Sequence, residues 1–300
     1  MNGNLSLEQR YLAVVARIRR AAEASGRDPS DVRLLAVSKT FPAKEVAALA
    51  GAGQLDFGEN YLQEALGKIA VLGQWQDRAR VDERSPSSAD RAPGLQRQES
   101  SFVSPVPPDL PLALPTALLS GGAQPAQRIR WHFIGPIQSN KTRKIAEVFD
   151  WVQSVENVRI AERLSAQRPI HLPSLDVCVQ VNVSGEASKS GCEPDLLVEI
   201  SREVAQLPRL RLRGVMAIPE PTKDVTLQVR RFAQVRVLFE ELRGAVANTG
   251  SAGALVDTLS MGMSADLEAA IAQGATLVRI GSALFGERPR QVKAPLPDAG

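Results

Sequence analysis

Short apolar runs alternate along this chain with stretches of helical period, and the alternation recurs over most of its 300 residues. Leu7, Tyr11, Val14 and Ile18 fall at helical spacing and predict a first helix, closed by Gly26 and Pro29. Leu34 to Thr40 predicts a first strand, with a helix over residues 43 to 52 after it. Leu55 to Gly58 predicts a second strand, and Glu59-Asn60-Tyr61 opens a helix to about Leu72. The pattern resumes with strands at 131–135, 150–154, 175–183, 210–218, 257–260 and 277–280. Helices at about 139–149, 157–167, 194–206, 225–247 and 265–273 lie between them. Eight strands alternating with helices predict a single (β/α)8 barrel of the TIM type, with a doubly wound open sheet as the alternative.

The clearest strand is the fifth. Leu175, Val177, Val179, Val181 and Val183 share one face, and Asp176, Cys178, Gln180 and Asn182 share the other. In a parallel barrel the valines pack under the helices and the polar row faces the interior, where a ligand explains it better than packing does. Between the second and third strands the period is lost: Ser85-Pro86-Ser87-Ser88, Pro105-Val106-Pro107-Pro108 and Gly121-Gly122 break it. Residues 73–128 are therefore expected to be a long, disordered Pro/Ser-rich insertion after the second βα unit. Within it, Leu110 to Leu119 is a candidate short helix or docking segment. The expected organisation is a barrel over 1–72 and 129–290 and a tail over 291–300.

Composition narrows the class. With 44% hydrophobic residues, the chain has enough apolar material for one large core. A net charge of +3 and 4% aromatic residues argue against a nucleic-acid partner. Cys178 and Cys192 form no metal or disulfide spacing, which implies a reducing, cytoplasmic setting and no metal. The arginine-studded first helix lacks the apolar core of a signal peptide, and no run is long enough to cross a bilayer, so no membrane association is expected.

Candidate chemistry gathers at strand ends. Lys39 closes the face carrying Leu35 and Val37, where a long amine either reaches for water or is held for a reaction. Ser264, after Gly262 and before Asp266-Leu267-Glu268, reads as a helix cap whose hydroxyl and neighbouring N–H groups could bind an anion. Arg279, Gly281 and Ser282 place a guanidinium, an unencumbered backbone and a hydroxyl at the adjacent mouth. Singly these are an ordinary cap, an ion pair and a turn; together, on the last two strands of a barrel, they suit a phosphate. A lysine on strand one facing that site suits a phosphorylated aldehyde bonded to a neutral amine, and desolvation would lower the lysine pKa in that direction. No Walker or dinucleotide fingerprint occurs. Lys141, Arg143 and Lys144 read as a solvated helix face, and Lys189 as a second, exposed amine for the aldehyde.

Six segments carry a family resemblance: Ala36-Val37-Ser38-Lys39-Thr40, Phe57-Gly58-Glu59-Asn60-Tyr61, Trp131-His132-Phe133-Ile134-Gly135, Gly214-Val215-Met216, Ser260 to Asp266 and Val278 to Gly286. In this order they resemble the pyridoxal phosphate homeostasis protein family, over about residues 5–72 and 129–288. The resemblance implies a barrel similar to the amino-terminal domain of alanine racemase, of the type III fold of pyridoxal phosphate proteins. It also implies pyridoxal 5′-phosphate held as a Schiff base on Lys39. Ser264, Arg279, Gly281 and Ser282 then fall on phosphate-binding positions, and Asn60, His132, Met216 and Ser260 around the ring. Read without the resemblance, Asn60 is a helix cap, His132 a hydrogen-bonded core histidine and Met216 a core residue. The Pro-rich insertion and the proline-ended tail depart from the family pattern.

The implied role is to store, buffer and deliver the cofactor, as a monomer, to apo forms of pyridoxal phosphate-dependent enzymes, without catalytic residues. The alternative is a racemase-like enzyme. Racemisation needs a proton donor and acceptor on opposite faces, and in the similar racemases a further β domain brings the second, which nothing after Phe285 is expected to build. A Schiff-base aldolase shares the lysine and clamp but calls for more carboxylates at strand ends, where only Glu59 and Asp257 are candidates.

Overall fold

A computed structural model describes residues 5–83, 128–184, 190–247 and 254–286. The strands are β1 (Arg33–Val37), β2 (Asp56–Glu59), β3 (Arg130–Phe133), β4 (Trp151–Val155), β5 (Leu175–Val181), β6 (Leu210–Ala217), β7 (Ala254–Ser260) and β8 (Leu277–Ile280). Around them run α1 (Leu7–Ala24), α2 (Ala43–Gly51), α3 (Leu62–Glu83), α4 (Thr142–Val148), α5 (Val158–Gln167), α6 (Leu197–Gln206), α7 (Val225–Ala247), α8 (Leu267–Ala272) and the short α9 (Ser282–Phe285). Each strand pairs in parallel with its successor, and β8 returns to β1 with Leu35 opposite Arg279. That closure makes the sheet a (β/α)8 barrel and removes the open-sheet alternative.

The alternation on β5 does what its period dictates. Leu175, Val177, Val179 and Val181 enter the main core between sheet and helices. On the inner face, Cys178 packs with Trp151 and Met216, while Leu35, Val37, Ile134 and Leu277 form a second apolar cluster. The polar members of the inner row find partners in the protein. Asp176 is paired to Arg211 and Arg213, Gln180 Nε2 donates to the Ser190 carbonyl at 2.9 Å, and Asn182 Oδ1 accepts from the Ser184 N–H at 3.1 Å.

Boundaries differ from the sequence expectation at two informative places. β1 stops at Val37, so Lys39 sits in the turn beyond the strand rather than at its last position. The third helix continues through Gly73 to Glu83, since one interior glycine costs a helix only about 1 kcal/mol and is no stop signal by itself. The candidate segment Leu110–Leu119, Lys189 and the tail lie outside the described residues.

The first helix belongs to the barrel. Ser6 caps α1 through a reciprocal pair with Gln9, and Val14, Ile18, Ala21 and Ala22 are buried. Ser6→Ala should cost about 1 kcal/mol, the usual worth of such a cap, and lower the melting temperature by roughly 3 °C in calorimetry. Among the described residues no helix is long and apolar enough to cross a membrane, and no group of His, Cys, Asp and Glu side chains is arranged to hold a metal.

Candidate functional site

The carboxyl ends of the strands open onto a cavity of about 300 Å³, at the lower end of the range for small-ligand sites. Six of the nine sequence candidates line it: Lys39, Asn60, Ser264, Arg279, Gly281 and Ser282. The apolar part of the wall includes Val37, Phe41, Ile134 and Ile218. Asn60 is brought in by a close backbone approach, for a Cβ on Gly135 would lie 2.2 Å from the Asn60 carbonyl oxygen. A side chain there would push β3 away from the wall.

Lys39 is half-buried between Ser38 and Thr40, and Thr40 has a φ of +70°. That left-handed conformation costs a residue with a Cβ about 1–2 kcal/mol, so the surroundings must hold it. They do so through one cluster centred on the buried Lys68 and Glu59. Lys68 of α3 donates from Nζ to the Ser38 carbonyl at 2.6 Å, to Glu59 Oε1 at 2.7 Å and to Glu64 Oε1 at 2.6 Å. The Ser38 hydroxyl donates to Glu59 Oε1 at 2.7 Å, and the Thr40 N–H donates to Glu64 Oε1. Burial raises the Glu59 pKa against the pull of Lys68. The sequence offers Glu59 as a candidate acid/base carboxylate at a strand end and does not single out Lys68. The i,i+4 spacing of Glu64 and Lys68 was the available signal, but nothing in it tells a surface pair from a buried one.

His132, Ser260 and Met216 were expected around a ring, but they do not line the cavity. All three are fully buried in the layer beneath it. Met216 packs on Trp151 and Cys178, and His132 stacks on Trp151 at 5.0 Å. His132 and Ser260 belong to a chain of hydrogen bonds whose donors all point one way. Arg279 Nη1 donates to Ser260 Oγ at 2.7 Å, and Ser260 Oγ donates to Gln153 Oε1 at 2.7 Å. Gln153 Nε2 donates to His132 Nδ1 at 2.9 Å, and His132 Nε2 lies 3.0 Å from Asp56 Oδ1, which also accepts from Arg130 Nε at 2.7 Å. The direction fixes His132 as the neutral tautomer with its proton on Nε2. Burial draws its pKa below the usual value, while Asp56 pulls the other way. Burial would raise the Asp56 carboxyl, but His132 and Arg130 outweigh it and hold it well below the carboxylate range.

Arg279 is 4% exposed, and burial draws its guanidinium down to about 10, still charged at neutral pH. Its Nη1 and Nη2 also donate to the carbonyls of Ser260 and Ala217, each at 2.8 Å, which fixes it in the cavity floor. Ser264 is not a helix cap: Asp266 occupies that position in α8 and takes the Met263 N–H at 2.6 Å. Instead Ser264 Oγ accepts from the Ala283 N–H at 3.3 Å, tying the turn after β7 to the first turn of α9 beyond β8. Arg17 of α1 backs this junction by donating to the Ser264 carbonyl and to Glu268. Ser282 is the first residue of α9, so its N–H has no intrahelical acceptor. The conformation behind Ser264 needs Gly262, at φ +91°, where a Cβ would lie 2.5 Å from that of Ala270.

A second cavity of about 270 Å³ adjoins the first through Asn60, Ile134 and Ile218, and is completed by Pro136, Gln180, Ser190, Pro219 and Pro221. Across both linings the titratable side chains among the described residues are Lys39 and Arg279. Lys144 of the basic helix face is paired to Glu147 at 2.8 Å.

Comparison with known proteins agrees with this geometry. The family described as "Alanine racemase, N-terminal domain" matches residues 11–289. The chain is 50% identical over 283 residues to the pyridoxal phosphate homeostasis protein of Pseudomonas aeruginosa, covering 94% of this chain and 96% of that protein. Among solved structures it is similar to PipY of Synechococcus elongatus with pyridoxal phosphate bound, at 29% identity and a TM-score of 0.60, covering 90% and 99% of the two chains. Alanine racemase of Corynebacterium glutamicum shares the fold at 13% identity and a TM-score of 0.52, with 95% of this chain matched to 64% of that one.

Proposed function

We propose a carrier role from one premise: the chain belongs to the pyridoxal phosphate homeostasis protein family, which is matched by the alanine racemase N-terminal domain. The protein binds pyridoxal 5′-phosphate and keeps it available to enzymes that require it. The observation that carries this reading is that the Lys39 side chain shares one cavity with Ser264, Gly281 and Ser282. An amine and an anion-holding pair of turns thus face a single space, and Asn60, whose Oδ1 is buried without a protein partner, borders it.

In this assignment Lys39 would hold the cofactor through Nζ, which as a neutral amine can bond to an aldehyde with loss of water. Ser264 and the backbone of Gly281 and Ser282 hold the phosphate. Arg279, with donors committed to Ser260 and Ala217, lines the same cavity and brings its positive charge to it. When bound, the cofactor supplies an electrophilic carbon and an electron-withdrawing ring. His132, Ser260 and Met216 act one layer down, by fixing the floor.

Carrier rather than catalyst is supported by the linings of the two cavities. Besides Lys39 and Arg279 they offer no titratable group among the described residues, and racemisation needs a second proton-transfer group opposite the first. We assign the protein to act as a monomer, with apo enzymes as the recipients. The free, buried thiols of Cys178 and Cys192 suit the reducing cytoplasm. We assign this role to the barrel over 1–72 and 129–290, with 73–128 as an insertion.

The purified protein should be yellow, and borohydride should fix a pyridoxyl group on the peptide containing Lys39. A label on another peptide, or none, overturns the site. A panel of amino acids should show no turnover; turnover that disappears in Lys39→Ala would overturn the carrier reading.

A further inference from the structure

We infer that Lys68, together with Glu59 and Glu64, positions the Lys39 amine for covalent attachment rather than serving as a general support of the barrel. The inference rests on the proposed attachment at Lys39 and adds the device that makes it efficient. None of the three residues lines the cavity, so they are positioning residues and do not touch the ligand.

The contacts bracket Lys39 on both sides. On the preceding residue, the Ser38 carbonyl is held by Lys68 Nζ and the Ser38 hydroxyl by Glu59. On the following residue, the Thr40 N–H is held by Glu64, at the one position of the turn with a left-handed φ. All three donors of the Lys68 ammonium are used, one on the turn and two on the carboxylates that hold the rest of it. Side-chain exposure is 7% for Lys68 and 0% for Glu59, so that pair is nearly dry, while Glu64, at 29%, closes the cluster toward solvent.

A dry ion pair is a poor way to support a fold, since well-packed apolar residues of the same volume do as well or better. Its directionality serves something else. An apolar cluster could fill the same space, but it could not fix a carbonyl, a hydroxyl and an N–H at once. These groups flank the residue whose Nζ must reach one carbon atom, and displacement of a reacting group by about 1 Å costs on the order of 100-fold.

The test compares two ligands of one cavity. Pyridoxal 5′-phosphate can bond to Lys39, whereas pyridoxamine 5′-phosphate carries an amine in place of the aldehyde and cannot. In Lys68→Met, covalent attachment, read as the rate at which the visible absorbance and the borohydride-fixed label appear, should slow by about 100-fold. Binding of pyridoxamine 5′-phosphate, read by calorimetry, should be unchanged. If Lys68→Met does not fold, Glu64→Ala, which leaves the Lys68–Glu59 pair intact, should show the same split at about 10-fold. Equal losses for both ligands, or no loss for either, overturn the inference. Absence of label from Lys39 in the unaltered chain would instead remove the reading beneath it.

Discussion

Lys39→Ala should leave the barrel folded and abolish the visible absorbance of the protein incubated with pyridoxal 5′-phosphate. The residue lies in a turn beyond β1, half-buried at the cavity wall. Truncation therefore removes the covalent bond while the turns that hold the phosphate stay in place. Retention should fall by about 100-fold or more, because a tethered partner is replaced by one held through contacts alone. Thermal unfolding gives a second reading. A ligand that binds only the folded state raises stability with the logarithm of its concentration over its dissociation constant, about 2.7 kcal/mol at a hundredfold excess. The unaltered protein should melt several degrees higher with the cofactor, and Lys39→Ala should melt at nearly the same temperature with and without it. Equal stabilisation of the two proteins would show that the amine contributes nothing to binding.

The same geometry explains what the sequence disclosed and what it withheld. The face on which a strand residue lies follows from parity, so Val177 and Val179 could be placed outside and Cys178 and Gln180 inside from the pattern alone. Depth along the barrel axis does not follow from parity. His132, Met216 and Ser260 point inward as expected, but how far below the rim they lie depends on the stagger of neighbouring strands, which no local pattern encodes. Ser264 misled for a different reason. Two residues of capping type stand close together, and Asp266 takes the cap position, its side chain turned back to the Met263 N–H, leaving the serine hydroxyl to meet α9. Lys68 was invisible because its partners lie 4, 9 and 30 residues away, and only the nearest falls at a spacing that sequence rules address.

The polar interior of the barrel leads to a prediction of stability. Asp56 ends a one-way chain of donors that begins at Arg279 under the cavity, so its carboxylate orients everything above it. In Asp56→Asn an amide would present its NH2 to a second donor, either the His132 Nε2–H or Arg130, and the charge opposite Arg130 would be lost. Breaking a fully buried pair costs about 3–5 kcal/mol; since the Arg130 side chain is 49% exposed and can be hydrated, about 2–3 kcal/mol is expected. The melting temperature should fall by roughly 5–10 °C at neutral pH. The dependence on pH identifies the cause. Asp56 has a folded pKa below its unfolded value, so its contribution is present above about pH 4 and is lost as the pH falls below that. His132 also has a lowered folded pKa, so the unfolded chain takes up a proton that the folded chain refuses, and stability declines as the pH drops below about 6.5. The parent should therefore lose stability in two stages on acidification. Asp56→Asn should lack the second stage and keep the first, because removing the carboxylate leaves the burial of His132 unopposed. Melts from pH 8 to pH 3 should show the two proteins converging below about pH 4. A gap that stays constant across that range would mean that shape, not the charge of Asp56, accounts for the loss.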